Sequence, residues 1–314
     1  MKRVKVNIIA EAFVGEANGV YTAIVQLVNA LKKRPDIDVK ESGKDWDITH
    51  AHTIGLKYLL HTICHKKKTL VSAHVVPDSF IGSLIFSELW RPLAKQYLKL
   101  VYNRSKMVIA VSPTVKKELE KIGVKSRIEV LCNSVNRSRF KPDSELKSKY
   151  RKKFGISEDA FVVSCVGQIQ PRKGVLEFIE TARQCPTATF VWIGGRPFGR
   201  LTADYANMTK AVDEAPENVK FIGVVDFDDM PGCYAMSDVY FLPSLQENFA
   251  FATIEASAVK LPLLLRDNPE YPDSLFTHYL KGKTPEDYAK IIQTLQSSKS
   301  DYETWANESD VLAE

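Results

Sequence analysis

The sequence predicts an α/β protein with two domains, each built on a doubly wound parallel sheet that helices cover on both faces. Three observations predict this class. Short apolar runs rich in valine, isoleucine and leucine alternate with longer helical patterns along most of the chain. Two such series occur, and a polar, highly charged stretch at residues 140–155 separates them. The 314 residues, 45% of them hydrophobic, suffice for two complete cores.

The first series contains five predicted strands, and a helical pattern follows four of them. The strands are predicted at residues 4–10, 47–52, 69–73, 107–111 and 128–131, and the helices at residues 21–33, 54–67, 84–106 and 113–122. The charged stretch that follows contains a short helix. We place the domain junction there and divide the chain into residues 1–157 and 158–314.

The second series repeats the pattern. Its strands are predicted at residues 161–166, 189–193, 219–222, 239–242 and 261–265. Four helices are predicted in this series. One ends at Gln184, one spans residues 230–236, one follows the loop that begins at Pro243, and one spans residues 285–295. Its Asp-x-Asp at residues 226–228 fits a turn and a helix cap better than a metal-nucleotide site.

The net charge of +5 is segregated along the chain. Residues 1–157 hold 30 lysines and arginines against 14 aspartates and glutamates, which gives +16, whereas residues 158–314 hold 13 against 24, which gives −11. A strongly basic half favours an anionic partner such as a membrane surface or a polyanion, although chance asymmetry of a solubilising surface is the alternative. No nucleic-acid-binding motif accompanies the charge, so we expect no nucleic-acid partner.

Cysteine usage and hydropathy indicate the compartment. The five cysteines are scattered without a Cys-x-x-Cys motif, which predicts neither a disulfide framework nor a metal cluster and favours a reducing cytoplasm. No run approaches the roughly 20 apolar residues of a membrane span. Glu11 interrupts the short apolar run near the N-terminus, so that run is predicted to be a strand and not a signal peptide.

The helix predicted at residues 84–106 is basic and amphipathic. Leu89, Leu93, Tyr97 and the pair Leu100/Val101 recur on one face at helical spacing, and Arg91, Lys95 and Lys99 recur every four residues on another. Such a helix with aromatic residues suits a bilayer interface. The alternative is an ordinary helix with a buried apolar face, but the basic charge of the first half favours the membrane.

Several strand-to-helix connections carry residues suited to ligands. His52 ends one predicted strand of the first series and His74 follows the next, so both lie at the edge where open α/β sheets bind ligands. A structural role is the alternative for either histidine. Metal binding is less expected because no third ligand has suitable spacing. Gly19 stands in the loop after the first strand, where a plain tight turn is as consistent as a ligand contact.

The loops of the second series fit phosphates and hydroxyls. Arg172 and Lys173 lie among glycines between a strand and a helix, an arrangement that suits a phosphate cradle, with an exposed turn as the alternative. The stretch after Pro243 carries Glu247 and, eight positions on, Glu255. Its loop N–H groups and helix start suit a diphosphate, and its carboxylates are strong acceptors for hydroxyls.

These motifs together resemble the retaining glycosyltransferases of family 4. The matching stretches are PSLQENFAFATIEASA with Glu247 and Glu255, the glycine loop ending at Lys173 and Gly174, VLCNSVN with the following Phe-Lys-Pro, and Ala-Val-Ser at residues 110–112. The resemblance implies the GT-B fold, two Rossmann-like doubly wound domains with a cleft between them. Within the family, SAHVVPDSFIGSL, AVSPTVKKELEK, GQIQPRKG and LLLRDNPEYPDSLF are similar to bacterial diglucosyl-diacylglycerol synthases and glycolipid galactosyltransferases.

The resemblance implies a retaining hexosyltransferase that moves glucose or galactose from a UDP-sugar to a membrane glycolipid such as monoglucosyl-diacylglycerol, without a required metal or other cofactor. It implies an acceptor-facing and membrane-facing first domain, a nucleotide-sugar-binding second domain, and a location on the inner face of the cell membrane. The alternatives are a hexosyltransferase acting on a soluble or polyprenyl-linked glycan, a UDP-sugar epimerase and a non-enzymatic membrane scaffold.

The same resemblance implies roles for individual residues. The implied catalytic residues are His74 beside the donor sugar, Glu247 on the hexose hydroxyls and Lys173 on the phosphates. The implied donor-binding residues are Gly19, Arg172, Lys173, Asn248, Phe249, Ala250 and Glu255, the last on the ribose. The chain departs from the family pattern at Gln168, where arginine is usual. Arg172 is the candidate to supply that charge.

Two further departures concern the loop after the first motif glutamate and the C-terminus. Asn248 and Ala250 replace glycines that are usual there, so the backbone is expected to approach the donor more tightly. Enzymes of this type commonly end in a helix that crosses back to the first domain. Because the chain stops soon after Trp305, an incomplete crossing helix is expected.

Overall fold

The structure is a computed structural model of the chain. It describes residues 3–11, 19–40, 45–83, 85, 87–196, 199–249, 251–269, 271–275 and 278–313. The chain divides into two compact units. The first comprises Met1–Phe80 and Glu88–Asn133, and the second comprises Ile81–Ser87 and Ser134–Glu314.

The first unit is built on six parallel strands in the order β2-β1-β3-β4-β5-β6. The strands are β1 (Val4–Ile9), β2 (Ile37–Lys40), β3 (Ile48–Ala51), β4 (Thr69–Ala73), β5 (Met107–Ala110) and β6 (Arg127–Val130). The helices of this part of the chain are α1 (Gly19–Lys32), α2 (Leu56–His65), α3 (Ser87–Tyr102) and α4 (Pro113–Lys121). All five predicted strands are present, with small differences at their ends.

Strand β2 was not predicted from the sequence. It pairs with β1 at the edge of the sheet, with Val4 opposite Ile37 and Val6 opposite Val39. Its four residues are all half-buried and alternate between apolar and charged side chains. A run this short is below the length at which alternation distinguishes a strand from a loop.

The second unit contains another six-stranded parallel sheet, in the order β12-β11-β10-β7-β8-β9. Its strands are β7 (Phe161–Val166), β8 (Ala188–Ile193), β9 (Val219–Gly223), β10 (Val239–Leu242), β11 (Leu263–Arg266) and β12 (Leu280–Gly282). Its helices are α5 (Ser144–Lys153), α6 (Val175–Gln184), α7 (Tyr205–Asp213), α8 (Met230–Ala235), α9 (Phe251–Ala258), α10 (Pro272–Leu275), α11 (Pro285–Ser297) and α12 (Lys299–Asp310). The sequence did not predict α7, α10 or β12.

An aromatic cluster holds α6 against the second sheet. Phe178 of α6 stacks on Phe241 of β10 at 5.7 Å and meets Trp192 of β8 edge to face at 5.1 Å between ring centroids. All three rings are fully buried, and burying such a side chain stabilises the fold by about 2 kcal/mol. The cluster thereby fixes the helix that follows the predicted phosphate loop.

The boundary predicted after residue 157 is too late, because the second unit begins at Ser134. Arg151 of α5 is fully buried, and its Nη2 lies 2.8 Å from Oδ2 of Asp238 while its Nε donates to the carbonyl of Met236 at 3.0 Å. A buried guanidinium is tolerated only when it is paired and hydrogen-bonded. These bonds therefore fix α5 to the second unit.

The new boundary weakens the charge asymmetry but keeps its sign. The first unit holds 22 lysines and arginines against 12 aspartates and glutamates, a net charge of +10, and the second holds 21 against 26, a net charge of −5. Cations between the two boundaries pair with acidic residues of their own unit, including Arg139 with Asp228 and Lys153 with Asp229. They belong to the second unit and are not counted in the charge of the first.

The last helix, α12, packs on α9 and β11 of the second unit. Ser257 of α9 donates to the carbonyl of Ser309 at 2.6 Å, and Asp310 accepts from Arg137 at 2.7 Å and lies 2.9 Å from Lys260. None of the helices in the described ranges combines the length and apolar character needed to cross a membrane.

Candidate active site

The loops after β7 and β10 meet at the carboxyl edge of the second sheet. Strands β7 to β9 progress to one side and β10 to β12 to the other, so the strand order reverses between β7 and β10. These two strands are direct neighbours, with Val239 opposite Val163 and Tyr240 opposite Ser164. Open α/β sheets bind ligands in the crevice at such a reversal.

The two loops contact each other through their backbones. Gly174 has a φ of 76°, and a Cβ at this position would lie 2.4 Å from the carbonyl oxygen of Pro243. Only glycine fits such a conformation and so close an approach. The N–H of Leu245 donates to the carbonyl of Arg172 at 2.8 Å, and the Ser244 hydroxyl donates to the same oxygen at 3.1 Å. The loops therefore present one continuous surface.

Lys173 and Glu247, both predicted as catalytic residues, form an ion pair on this surface. The Lys173 Nζ lies 2.5 Å from Oε1 of Glu247, and the side chains are only 15% and 7% exposed. Burial opposes ionisation of Glu247, but Lys173 and Arg172 outweigh it and hold the pKa of that carboxyl below its usual range. Burial lowers the pKa of Lys173, and the Glu247 carboxylate opposes that shift.

Arg172 lies beside the same carboxylate. Its Nη1 is 3.9 Å from Oε2 of Glu247 and donates to the carbonyl of Gln246 at 2.7 Å, while its Nε donates to the Ser83 hydroxyl at 2.9 Å. Gln168, at the position where the family carries arginine, accepts from the amide of its neighbour Gln170 at 2.5 Å. Arg172 thus places a positive charge next to the Lys173–Glu247 pair, and its contact with phosphate stays a prediction.

The predicted diphosphate contacts lead into the start of α9. The Asn248 side-chain oxygen accepts from Gln246 at 2.8 Å, and the Phe249 ring lies 6.0 Å from that of Phe251, where α9 begins. Ala250 lies outside the described residues. The first N–H groups of a helix have no partner within the helix, which suits them to an anionic ligand.

Glu255, the predicted ribose ligand, lies in a different environment from Glu247. It sits on α9, is 5% exposed and accepts a hydrogen bond from the Tyr234 hydroxyl at 2.8 Å. Burial raises the pKa of Glu255 to about 7, against the opposing effects of Tyr234 and Arg139. The predicted site did not include Tyr234, which belongs to the short helix α8 and to no recognisable motif.

The first unit carries its own cluster at the carboxyl edge of its sheet. The Nδ1 of His52, directly after β3, lies 3.1 Å from Nε2 of His74, directly after β4. His52 is buried and His74 half-buried. Gly19 is the exposed first residue of α1, and residues 12–18 of the loop before it lie outside the described residues.

The Asp-x-Asp stretch pairs with cations of the second unit. Asp228 lies 2.9 Å from Arg139, and Oδ2 of Asp229 accepts from Lys153 at 2.6 Å. The Asp229 side chain does not cap α8, so that part of the expectation is wrong. In the parts of the chain that the structure describes, no group of three or more histidines, cysteines, aspartates or glutamates is arranged to hold a metal ion.

Comparison with solved structures defines the class of fold. Anabaena Alr3699/HepE, solved in complex with UDP and glucose, superposes with a TM-score of 0.79 at 17% identity and covers 99% of this chain and 94% of its own. Sucrose-phosphate synthase from Thermosynechococcus elongatus superposes with the same TM-score of 0.79 at 16% identity and the same coverage. The predicted GT-B fold is therefore confirmed.

Comparison by sequence defines the family. Residues 147–310 match the family described as Glycosyl transferases group 1, and residues 15–139 match Glycosyltransferase Family 4. The chain therefore belongs to the family of group 1 glycosyl transferases and is a glycosyltransferase.

Two relatives are named as enzymes of glycolipid synthesis. The alpha-galactosylglucosyldiacylglycerol synthase of Streptococcus pneumoniae is 29% identical over 95% of this chain and 81% of its own length. The processive diacylglycerol alpha-glucosyltransferase of Acholeplasma laidlawii is 30% identical over 82% of this chain and 77% of its own length.

Proposed function

We propose that this glycosyltransferase moves glucose or galactose from a UDP-sugar to a membrane glycolipid such as monoglucosyl-diacylglycerol, with retention of configuration. The observation that carries the proposal is the buried Lys173–Glu247 pair at the strand reversal of the second sheet, beside Arg172 and the start of α9. It offers cations and helix N–H groups to a diphosphate, and a carboxylate to sugar hydroxyls. The names of both glycolipid-synthesising relatives support the acceptor, and the UDP and glucose bound to Alr3699/HepE support the donor.

In the proposed donor pose, the two members of the Lys173–Glu247 ion pair bind different parts of the donor. Lys173 contacts the diphosphate, and Glu247 then accepts hydrogen bonds from hydroxyls of the hexose. The ribose hydroxyls donate to Glu255. His74, in the first unit, is proposed to contact the hexose during transfer.

In the proposed reaction the bond between C1 of the hexose and the diphosphate oxygen breaks, and its electron pair stays on UDP. The acceptor hydroxyl oxygen bonds to C1 on the same face, and its proton passes to a phosphate oxygen of the departing UDP. Lys173, Arg172 and backbone N–H groups stabilise the charge that develops on the diphosphate, so no metal is required. Glu247 positions the sugar and does not form a covalent intermediate.

A lipid acceptor requires a surface that meets the bilayer, and the first unit offers one on two neighbouring helices. Tyr58 of α2 donates to the carbonyl of Val101 of α3 at 2.8 Å, which places these helices side by side. Both carry exposed aliphatic side chains at helical spacing. These are Leu56, Leu60 and Ile63 on α2 and Leu89, Leu93 and Leu100 on α3, hereafter the α2–α3 apolar face.

The exposure of this face supports the membrane-facing interpretation of α3. Leu89 is 82% and Leu93 74% exposed, whereas Leu98 and Val101 are fully buried. The predicted apolar face is therefore exposed at Leu89, Leu93 and Leu100, and buried at Val101. Exposed basic residues accompany it, including Lys57 and Lys95. Aliphatic and basic side chains together suit an anionic bilayer surface, to which each well-placed cation adds about 1 kcal/mol.

The proposed function is tested by incubating the protein with UDP-glucose or UDP-galactose and with diacylglycerol or monoglucosyl-diacylglycerol in anionic micelles, with mass spectrometry of the lipids. We expect hexose transfer to the glycolipid, and its loss in Lys173→Ala and Glu247→Ala. Lys210→Ala, which removes an exposed lysine of the same unit, is the matched control and should retain activity.

Other outcomes overturn parts of the proposal. Failure to bind any UDP-sugar overturns the donor, and transfer only to a soluble or polyprenyl-linked glycan overturns the lipid acceptor. Conversion of the UDP-sugar without an acceptor indicates an epimerase. A cellular activity that Glu247→Ala and Lys173→Ala leave unchanged indicates a scaffold.

A further inference from the structure

Three histidines form a row in the first unit, in which His50 and His52 are buried and His74 is half-buried. His50 lies in β3, His52 directly follows that strand, and His74 follows the neighbouring strand β4. The His50 ring lies 4.4 Å from that of His52, and the His52 ring is stacked 5.4 Å from that of His74, between centroids. His50 is anchored separately, with its Nε2 2.8 Å from the Ser72 hydroxyl.

The contact between His52 and His74 constrains where their protons reside. Nδ1 of His52 and Nε2 of His74 lie 3.1 Å apart, and two neutral imidazoles form such a bond only if one of these nitrogens carries a proton and the other does not. Burial keeps both rings neutral, lowering the pKa of His74 to about 4 and that of His52 to about 2.

The other nitrogen of His52 selects between the two arrangements. Nε2 of His52 is buried and has no hydrogen-bond partner among the described residues. A proton on this nitrogen would be a buried donor without an acceptor. Such a donor is costlier and rarer than a buried acceptor without a donor. The proton of His52 is therefore assigned to Nδ1, from which it is donated to Nε2 of His74. That bond leaves the proton of His74 on its own Nδ1.

We propose that His52 is a positioning residue that holds His74 in the Nδ1–H tautomer and fixes the orientation of its ring. This inference rests on the proposed function, in which His74 contacts the donor hexose. Held in this form, His74 offers the sugar a neutral hydrogen-bond donor and does not deliver a proton. His52 acts only through His74.

The tautomer can be measured without any substrate. In the full-length protein with ¹⁵N-labelled histidine, long-range ¹H–¹⁵N correlation spectra distinguish the protonated from the unprotonated ring nitrogen. The protein has six histidines, and His74→Asn identifies the resonances of His74 by their loss. We expect wild-type His74 to carry its proton on Nδ1. A proton on Nε2 of wild-type His74 overturns the proposal, whatever the variants show.

Substitutions then test whether His52 is the cause. His52→Leu removes the donor and should shift His74 to a mixture of tautomers or to Nε2–H. His52→Asn places an amide where the imidazole has Nδ1 and should restore the Nδ1–H form. His50→Leu is the matched control, because it removes an equally buried histidine that bonds Ser72 and not His74. A shift of equal size in His50→Leu indicates general loosening and overturns the proposal.

Kinetics provide the second readout. We expect His52→Leu to lower kcat for hexose transfer about tenfold, by analogy with the loss of outer-shell partners that orient a functional histidine. The KM for the UDP-sugar should change little, because the diphosphate site lies on residues of the second unit. His52→Asn should recover most of the rate, and equal rates in His52→Leu and wild type contradict the proposal. If the wild type transfers no hexose, the proposed function fails while the spectra still decide the tautomer.

Discussion

At the scale of single residues, the two motif carboxylates differ in charge at neutral pH. Glu247 lies against Lys173, and its pKa is below the usual range. Glu255 lies against the Tyr234 hydroxyl in a buried site, and its pKa is raised to about 7. Their eight-residue spacing carries no information about this difference, because it arises from partners that come from other parts of the chain.

Under the proposed contact between Glu255 and the ribose, the affinity for a UDP-sugar should depend on pH through Glu255. Only the ionised carboxylate is a strong acceptor for ribose hydroxyls, so affinity rises as the pH passes upward through about 7. We expect binding of UDP-glucose to be about tenfold weaker at pH 6 than at pH 8, as measured by isothermal titration calorimetry. UDP-glucose is the suitable probe because its phosphates do not titrate in this range.

Two variants bracket this prediction. Glu255→Gln should bind weakly at both pH values and lose the dependence. Tyr234→Phe removes a hydrogen bond that lowers the pKa of Glu255, so its transition should move to higher pH. An unchanged pH profile in Glu255→Gln contradicts the assignment.

At the scale of elements, helix α3 shows where sequence periodicity reaches its limit. The period correctly predicted a helix with an apolar face, but Leu89 and Leu93 are exposed while Ala94 and Leu98 are buried. Periodicity groups residues on a face and does not say which face the rest of the unit covers. In an ordinary helix the more apolar face is buried. The exception at α3 is consistent with the proposed lipid-facing role of the α2–α3 apolar face.

Polar substitutions on this face should weaken membrane binding. Burying one leucine in an apolar phase is worth about 1.5–3 kcal/mol, so Leu89→Ser with Leu93→Ser should reduce binding to anionic vesicles by at least tenfold in a sedimentation assay. The fold should be unaffected because neither side chain packs in the core. Leu176→Ser, at an exposed leucine of the second unit, is the control. Equal losses in both variants contradict a specific face.

The elements that the sequence left unpredicted carry weak local signals. Strand β2 and strand β12 are edge strands of four and three residues, too short to show a period. Helix α7 carries a single buried residue, Met208, so it has little apolar stripe to detect. Helix α5 was predicted, but it was assigned to the first domain and lies in the second unit. The buried bond of Arg151 to Asp238 depends on residues 87 positions apart.

At the scale of the whole molecule, the two units should respond differently to acid. The three clustered histidines of the first unit have depressed pKa values, about 4 for His50 and His74 and about 2 for His52. Their contribution to stability is complete above the unfolded value of about 6.5 and is lost as the pH falls towards the folded values. Glu255 has the opposite sign, because its raised pKa favours the second unit as the pH falls below 7.

We therefore expect the first unit to lose stability first between pH 7 and pH 5. Each histidine contributes a loss of about 1.4 kcal/mol per pH unit below 6.5. Hydrogen exchange, corrected for the intrinsic rate, should show protection of β3 and β4 falling while that of β7 and β10 is retained. His52→Asn carries no titrating group at this position and should reduce the loss. Equal loss in both units contradicts the prediction.

Much of the architecture followed from the sequence alone, and the roles of the site residues stay predictions. Glu247 and Lys173, 74 positions apart, were assigned to one site, and the structure joins them. Tyr234 was missed, because its contact with Glu255 arises only when α8 and α9 come together. Alternation of strands and helices is encoded locally, whereas partners across a sheet depend on the order of its strands.

Two glycines in the loops after β7 and β8 have a consequence for protein engineering. A Cβ at position 174 would meet Pro243, and a Cβ at Gly194 would lie 2.1 Å from the carbonyl oxygen of Gly167. Each loop thus packs against the main chain of another segment, and a substitution there cannot make room as it could by shortening a side chain. A donor-binding loop grafted from another enzyme would bring a contour matched to its original neighbour. Changing the sugar specificity of this protein by loop exchange should therefore succeed only when the loops after β7 and β10 are transplanted as a pair.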